Sequence, residues 1–455
     1  MDSALFDPLF DAAGVAPLFA DASRLQAMLD FEAALARAEA ACGIFAGSEA
    51  ETIARHCRAG LFDTAAIGRA APAGGNPAIP LVEALTAKVA AVDPAAARWV
   101  HFGATSQDVI DTATVLLLRR LHPMFEERTA ALAAILADRA AAHRDTPMVA
   151  RTFLQHAVPT TFGCKLAGWL DALLRHRDRL AELEGRLFVL QFGGAAGTLA
   201  ALGEKGPAVA ARLAEGLGLG RPDIPWHGHR DRLAEFAGWL ASLAGCLGKM
   251  AQDLALMMQT EVGELAEPGE GGRGGSSTMP QKRNPVACTL VLGACRQVPE
   301  LAGSLFATML QEHERGLGGW HAEWRILPEL CVLVGGALAR LQETLAGLEV
   351  DVARMRRNLE LTDGLVMAEA VRIALVEALG REAAGRRLAA ACRRARTEGR
   401  HLREVLAADP EIVSRLGERK LTALFDPAGY LGAAPAFVDA VLARYRERGE
   451  GRSGA

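Results

Sequence analysis

The sequence contains few aromatic residues, and this limits the fold classes that it can form. Only 5% of its 455 residues are aromatic, and only 2 are tyrosine. β-Sheets favour aromatic and β-branched side chains, whereas this chain is rich in alanine, leucine and arginine, which favour helices. The sequence therefore predicts an all-α protein that is long enough to form two or three domains.

Closely spaced cysteines are also missing. The 8 cysteines are scattered, and none belongs to a Cys-x-x-Cys pair. Disulfide frameworks and zinc sites commonly use such spacings, so free thiols are expected. The motif His227-Gly-His229 suggests a metal site, but two histidines without further ligands support one only weakly. We predict neither a metal nor a cofactor.

The chain lacks a strong net charge and a membrane-spanning pattern. Its net charge is -4, which does not favour nucleic acid or an anionic membrane as a partner. It has no uncharged apolar run of about 18 residues, the length that crosses a bilayer. The N-terminal sequence MDSALFDPLF has acidic residues and no basic region before an apolar core, unlike a secretory signal. We expect a soluble, cytoplasmic protein that binds neither nucleic acid nor a membrane.

The most distinctive stretch is GGRGGSSTMPQKRNP, residues 271–285. Its glycines and prolines exclude regular secondary structure and predict a loop. Its polar side chains could transfer a proton and stabilise the negative charge that develops beside it. A solvated glycine-rich linker is the alternative. The polar side chains are Ser276, Ser277, Lys282 and Asn284.

A second polar stretch, HFGATSQDVIDTA, covers residues 101–113 and precedes a long helical pattern. Thr105 and Ser106 lie where the loop gives way to the helix. Hydroxyl groups and backbone donors at a helix N-terminus favour anions, although ordinary N-capping uses the same side chains. Asp108 and Asp111 are expected to cap or brace the helix.

A third stretch, ARTFLQHAVPTTFG, covers residues 150–163 and has a loop-like pattern before another helix. Gln155, His156 and Thr160 are among its polar members. His156 could orient a substrate, and bracing of a neighbouring loop is the alternative.

These stretches, in this order, resemble the signature regions of the fumarase/aspartase superfamily, which includes argininosuccinate lyase, adenylosuccinate lyase and bacterial carboxymuconate cycloisomerases. The resemblance implies that Ser276 is the proton-transfer residue. It also implies that Lys282 and Asn284 bind the substrate carboxylate and its aci form. The glycine run before Ser276 resembles the family's mobile lid, which closes to exclude water.

The resemblance further implies a set of substrate-binding residues. His101 matches an active-site histidine of the adenylosuccinate lyase-like branch. Arg315 resembles a substrate-binding arginine of that branch, and a guanidinium group suits bidentate contact with a carboxylate; a surface ion pair with Glu312 or Glu314 is the alternative. The predicted substrate-binding residues are His101, Thr105, Ser106, Gln155, His156, Thr160, Ser277 and Arg315.

Aromatic residues at two places separate the branches of the superfamily. Lyases that expel an amine or a purine base have a histidine general acid where this chain has Phe153. Without such an acid, a basic leaving group would react about 10²–10⁴-fold more slowly, whereas a carboxylate leaving group needs none. Trp320 and Trp324 stand where adenylosuccinate lyases bind a phosphate. We therefore favour the cycloisomerase branch; the alternative is an adenylosuccinate lyase-like carbon–nitrogen lyase that releases fumarate.

The superfamily implies three all-α domains around a central bundle of long antiparallel helices. Helical spacing of apolar residues supports one long helix from Arg232 to Leu265 and another from Val286 to Gln311. We predict an N-terminal helical domain (1–108), a central long-helix bundle (109–352) and a small C-terminal helical domain (353–455). The resemblance also implies a homotetramer whose active sites are shared between subunits.

Overall fold

The structure, a computed structural model, describes residues 3–269, 274–275, 278–279 and 281–450. Helices dominate this part of the chain. The N-terminal helices are α1 (Asp7–Phe10), α2 (Asp21–Ala41), α3 (Gly47–His56), α4 (Thr64–Gly74), α5 (Ala78–Ala90) and α6 (Pro94–Ala97). The middle of the chain forms α7 (Ser106–Ala142), α8 (Phe162–Leu187), α9 (Gly206–Leu217), α10 (Asp231–Met257), α11 (Val286–Ala307) and α12 (Gly319–Ala346).

The C-terminal part is built from shorter helices. They are α13 (Val352–Glu360), α14 (Ala368–Leu379), α15 (Arg381–Glu398), α16 (Leu402–Ala407), α17 (Pro410–Leu416), α18 (Glu418–Ala423) and α19 (Ala434–Glu450). Short 3₁₀ helices occur at Ala16–Phe19, Ala59–Leu61, Ala200–Lys205, Leu365–Met367 and Pro427–Tyr430. None of the helices described is long and apolar enough to cross a membrane.

The long helices are confirmed, but two of them end earlier than predicted. The apolar stripe of α10 is buried from Leu233 to Met257, which explains why this segment is helical. Beyond it, Gly263 adopts a positive φ of 59°. Leu265 then lies in strand β3 (Leu265–Ala266), because backbone pairing with a later strand replaces the helical pattern. Similarly, α11 ends at Ala307.

The third polar stretch is a β-hairpin rather than the predicted loop. Strand β1 (Pro147–Thr152) pairs antiparallel with β2 (Gln155–Thr161), with Thr152 opposite Gln155. Between them, Phe153 and Leu154 have φ values of 50° and 62°. Two successive positive φ values fit a type I′ turn, which normally uses asparagine and glycine. The Phe-Leu pair therefore gave no sequence signal for a hairpin.

The described chain forms two compact units. The first comprises residues 1–129, 176–248 and 290–340, and the second comprises 130–175, 249–289 and 341–455. The second unit also contains the β3 pairing with β4 (Glu349–Val350). Each unit has a core of buried leucine, valine and alanine side chains. The three-domain division at residues 108 and 352 stays a prediction.

Candidate active site

Asp108 organises the loop that precedes α7. Its carboxylate is buried and accepts hydrogen bonds from the backbone N–H groups of Thr105 (3.1 Å), Gly193 (2.9 Å) and Gly194 (2.9 Å), and from Nε2 of His227 (2.7 Å). The bond to Thr105 is one half of a capping box at the start of α7. Asp108 therefore braces the helix, as predicted, and also fixes three separate chain segments against one another.

Arg315 joins the same group of residues. Its guanidinium donates to Oε1 of Gln107 (3.1 Å), to Oγ1 of Thr105 (3.2 Å) and to the carbonyl oxygen of Ala195 (3.2 Å). Gln107 in turn donates to the carbonyl oxygen of His227 at 3.1 Å. Within the described residues Arg315 makes no ion pair, so the alternative of a surface ion pair is wrong. The half-buried guanidinium keeps its charge available for an anion.

Glycines allow the loops around Ser106 to approach closely. Ser106 is the first residue of α7 and is half-buried, next to first-turn N–H groups that have no partner within the helix. A Cβ atom on Gly194 would lie 2.7 Å from the carbonyl oxygen of Gly103. The two loops can pack this tightly only without that side chain. The result places the guanidinium of Arg315 beside the hydroxyl group of Thr105, next to the first turn of α7.

His101 is held by a glutamate that the sequence analysis did not identify. Its Nδ1 lies 2.6 Å from Oε1 of Glu32, which is buried on α2. Burial alone would lower the pKa of His101, but the charge and hydrogen bond of Glu32, together with the charge of Asp108, raise it above its usual value. The His101 side chain remains 18% exposed. Its ring therefore stays protonated to higher pH than that of an ordinary histidine, and it lies at the edge of the residues around Asp108.

The signature loop places Lys282 and Asn284 on the wall of a cavity of about 710 Å³. Asn284 is fixed to Gly274, whose carbonyl oxygen accepts from its backbone N–H (2.8 Å) and its side-chain amide (3.2 Å). Lys282 is exposed and forms no ion pair with any described residue, so its ammonium group can meet a ligand. Ser276 and Ser277 lie outside the described residues.

Glu267 connects this loop to the helix that follows it. Its carboxylate accepts hydrogen bonds from the first-turn N–H groups of Ala287 (3.0 Å) and Cys288 (2.9 Å) in α11. Its backbone oxygen accepts from Arg283 at 2.6 Å. A negative charge at a helix N-terminus is favourable. Glu267 is distant in sequence from the helix that it caps, so only the structure reveals this role.

The hairpin carries Gln155, His156 and Thr160 on strand β2. β2 has one extra residue where the register shifts between Val149 and Arg151, so side-chain alternation is interrupted between His156 and Thr160. Arg151, which pairs with His156 across the hairpin, makes a bidentate ion pair with Glu264 at 2.7 and 2.9 Å. Burial, and then the charge of Arg151, lower the pKa of His156. His156 is therefore better suited to hydrogen bonding as a neutral ring than to donating a proton.

The described residues contain no group of three or more His, Cys, Asp or Glu side chains that could hold a metal ion. His227, one of the two histidines in the His-Gly-His motif, is engaged with Asp108. The predicted site residues that the structure describes thus fall into three groups: the α7 loop with His101 and Arg315, the hairpin, and Lys282 with Asn284 in the signature loop.

Two family models match the chain. One is described as "Lyase" and matches residues 13–299, and the other is described as "Adenylosuccinate lyase C-terminus" and matches residues 364–441. All three signature stretches lie within the first of these matches. The chain belongs to the fumarase/aspartase superfamily and is an enzyme.

Individual relatives match over nearly the whole chain. A 3-carboxy-cis,cis-muconate cycloisomerase of Pseudomonas aeruginosa is 55% identical over 98% of this chain and 97% of its own length. The crystal structure of 3-carboxy-cis,cis-muconate lactonizing enzyme from Pseudomonas putida superposes with a TM-score of 0.93 and 52% identity, covering 98% of this chain and 99% of that one. A nitrosuccinate lyase of Streptomyces davaonensis is 45% identical over 96% of this chain and 94% of its own. These likenesses confirm the superfamily and the all-α fold.

Proposed function

We propose that this enzyme is a 3-carboxy-cis,cis-muconate cycloisomerase. It interconverts 3-carboxy-cis,cis-muconate and 4-carboxymuconolactone in protocatechuate breakdown, the β-ketoadipate pathway. Relatives that carry this activity in their names match the chain almost from end to end. The residue that carries the proposal is Phe153, at the tip of the hairpin. An aromatic ring cannot protonate an amine leaving group, and lactone chemistry needs no such acid.

The reaction is an addition within one substrate molecule. In the lactonising direction, a substrate carboxylate oxygen forms a bond to one carbon of a double bond. The π electrons move to the neighbouring carbon and are delocalised into its carboxyl group as an aci-carboxylate. Ser276 then transfers a proton to that carbon, and the lactone is complete. In the opposite direction Ser276 removes the same proton, and the carboxylate is the leaving group.

Lys282 and Asn284 stabilise the aci-carboxylate. The ammonium group of Lys282 is exposed on the cavity wall, and the backbone of Asn284 is tied to Gly274. Charges and dipoles that are already fixed need little rearrangement as negative charge develops. Loss of one such donor commonly lowers the rate by about 10²–10³-fold. Ser277 belongs to the same loop and contacts the substrate beside Ser276.

The remaining carboxylates bind at the α7 loop and the hairpin. Arg315 and Thr105 are already hydrogen-bonded to each other, and Ser106 adds a hydroxyl group at the helix N-terminus, where anions are favoured. His101 contributes a protonated ring. From the hairpin, Gln155, His156 and Thr160 supply uncharged hydrogen-bonding groups. A tricarboxylate thereby meets several separate anion-binding groups, and neither a metal nor a cofactor takes part.

The enzyme acts in the cytoplasm as a homotetramer with active sites shared between subunits. Large apolar side chains that remain exposed on the single chain support this assembly. Phe153 and Leu154 at the hairpin tip are 100% and 74% exposed, and Leu310 and Leu317 are 85% and 87% exposed. Subunit contacts would remove these surfaces from water.

Ultraviolet absorbance of 3-carboxy-cis,cis-muconate tests the proposal directly. The purified enzyme is expected to abolish the diene absorbance rapidly, and the Ser276→Ala variant is expected to leave it unchanged. Lys282→Ala should lower the rate by about 10²–10³-fold. A wild-type enzyme that leaves the muconate unchanged would contradict the proposal.

A carbon–nitrogen lyase activity is the second candidate, because the nitrosuccinate lyase relative is 45% identical. Adenylosuccinate and nitrosuccinate are therefore assayed in parallel, with fumarate release as the readout. Rapid fumarate release from either substrate, without conversion of the muconate, would favour this candidate. It would also show that Phe153 does not exclude carbon–nitrogen cleavage.

A further inference from the structure

Helix α2 carries two buried glutamates, Glu32 and Glu39, which no step of the proposed reaction uses. Their relative exposures are 1% and 0%. One oxygen of Glu32 accepts from Nδ1 of His101 at 2.6 Å. The other oxygen of Glu32 and both oxygens of Glu39 have no hydrogen-bond partner among the described residues. Because burying such groups is costly, their presence on the core side of the helix calls for a physical reason.

Glu39 holds its proton at neutral pH. Burial, and then the charge of Glu32, raise the pKa of Glu39 to about 9. A second buried negative charge beside Glu32 is therefore avoided. Glu32 is then the acidic group of α2 that pairs with His101, and this pairing explains why a carboxylate is tolerated at a buried position.

The backbone of His101 shows that its position is imposed by its surroundings. Its φ is 59°, in the left-handed region that residues other than glycine rarely adopt. Such a conformation persists only where neighbouring interactions stabilise it. The hydrogen bond to Glu32 is one of these interactions, and it uses Nδ1. The second ring nitrogen, Nε2, makes no hydrogen bond within the described residues and remains available to a ligand.

We propose that Glu32 is a positioning residue of the reaction: it orients His101 through Nδ1 and keeps the ring cationic, so that Nε2–H binds a substrate carboxylate. This inference rests on the proposed function in one respect, namely that the ligand of His101 is a carboxylate. His101 touches the substrate, whereas Glu32 acts through His101. A neutral ring at this place would offer a weaker hydrogen bond, since bonds between charged groups are roughly twice as strong as neutral ones.

Among the described residues, the charges that act on His101 are those of Glu32 and Asp108, and both favour the cationic ring. Glu32 approaches from α2 and Asp108 from α7. Cys57, which follows α3, lies close enough to Glu32 to respond to its charge, and burial raises the pKa of this thiol, so it stays neutral. Glu39 is neutral as well, so Glu32 and Asp108 are the groups that determine the charge of His101.

The kinetic test compares Glu32→Gln with Glu39→Gln. In Glu32→Gln the ring loses its charged partner, so His101 should lose its proton at lower pH. We expect the basic limb of the kcat/KM profile to move to lower pH, and KM to rise by about 10- to 100-fold with a smaller change in kcat, the range for a hydrogen bond between charged groups. Glu39→Gln is the matched control. Glu39 lies on the same helix, is equally buried and is already neutral, so KM and the basic limb should stay unchanged in this variant.

A folded Glu32→Gln enzyme whose KM and basic limb match those of the wild type within about twofold would overturn the proposal. Glu32→Asp keeps the charge on a shorter side chain and should recover part of the shift in the basic limb. That partial rescue separates an electrostatic role from simple packing, which a shorter side chain would not restore.

A titration of the wild-type enzyme decides the question even if Glu32→Gln does not fold. Histidine ring signals are followed by NMR against pH, and the His101 signal is assigned by its loss in His101→Asn. We expect His101 to titrate above the ordinary histidine value of about 6.5; titration at or below that value would overturn the proposal. This readout needs no substrate. If the enzyme left 3-carboxy-cis,cis-muconate unchanged, the proposed function would fail while the titration still tested the Glu32–His101 pair.

Discussion

At the residue scale, the contacts of Arg315 depend on the shape of its guanidinium group as well as on its charge. Separate N–H groups reach Gln107, Thr105 and Ala195. A lysine ammonium group is a single point charge and cannot reproduce this fork. We predict that Arg315→Lys lowers kcat/KM by about 10- to 100-fold, equivalent to about 1.5–3 kcal/mol for hydrogen bonds to a charged group. Steady-state kinetics with 3-carboxy-cis,cis-muconate measure this loss.

Arg37→Lys is the matched control for this substitution. Arg37 makes an exposed ion pair with Glu51, and such pairs contribute little, so kcat/KM should not change. An Arg315→Lys enzyme that retained wild-type kcat/KM would show that charge alone suffices at this position.

Prediction from sequence succeeded for Asp108 because capping is a local interaction between residues three apart. It missed Glu32 and Gln107 for the opposite reason. Glu32 meets His101 only after α2 has packed near the loop before α7, and Gln107 meets Arg315 across a large part of the chain. A charged residue within an apolar helical face was the one local signal for Glu32, and that signal does not identify the partner.

At the element scale, one buried arginine connects three long helices in the first unit. Arg230, directly before α10, makes bidentate contacts with Asp111 of α7 (2.7 and 2.9 Å) and with Glu323 of α12 (2.6 and 2.9 Å). Its guanidinium also lies 4.8 Å from the ring centroid of Trp226. Burial raises the pKa of Glu323, and Arg230 opposes that shift. Two buried carboxylates thus depend on one cation.

We predict that Arg230→Lys destabilises the enzyme by about 2–4 kcal/mol. Lysine keeps the charge but cannot donate to both carboxylates in the same geometry, and a buried carboxylate without its partner is strongly unfavourable. Urea unfolding measures the change. Arg186→Lys, at an exposed pair with Glu235, is the control and should change stability by less than about 1 kcal/mol. Equal stability of the two variants would contradict the role assigned to Arg230.

Gly274 adopts a backbone conformation that favours glycine and lies close to Asn284. Its φ is 75°, and a Cβ atom there would lie 2.6 Å from the backbone oxygen of Asn284. We predict that Gly274→Ala lowers kcat by about 10-fold or more, because displacements of about 1 Å in a catalytic group can cost 10²-fold. Circular dichroism should show unchanged helix content, because Gly274 lies outside the helices.

Gly216→Ala provides the control for this substitution. Gly216 lies in α9, and an added Cβ would meet no atom within 4 Å. The kcat of the Gly216→Ala enzyme should equal that of the wild type. If Gly274→Ala also kept full activity, the close approach of Gly274 to Asn284 would not matter for catalysis.

At the scale of the whole molecule, Glu39 links stability to pH. Its pKa rises from 4.5 to about 9 on folding, so between these values the folded protein binds more protons than the unfolded chain. Stability therefore falls as the pH rises through this range, by at most about 1.4 kcal/mol per pH unit for one group. Glutamine carries no such proton. We predict that Glu39→Gln flattens this dependence and that its advantage over the wild type grows toward high pH.

Thermal unfolding midpoints at several pH values between 5 and 9 measure this effect. Glu83→Gln, an exposed position on α5, is the control and should run parallel to the wild type. Parallel curves for Glu39→Gln as well would show that Glu39 is already ionised in the folded protein.

Sequence by itself determined the superfamily, the all-α class, the long helices and the order of the signature stretches. These features depend on composition, on helical periodicity and on runs of neighbouring residues, all of which can be read along one chain. Tertiary structure decided the hairpin around Phe153, the earlier end of α10 and the partners of His101, Arg315 and Arg230. Each of these depends on backbone conformation or on atoms far apart in sequence, where packing and burial, rather than local preference, select the contact.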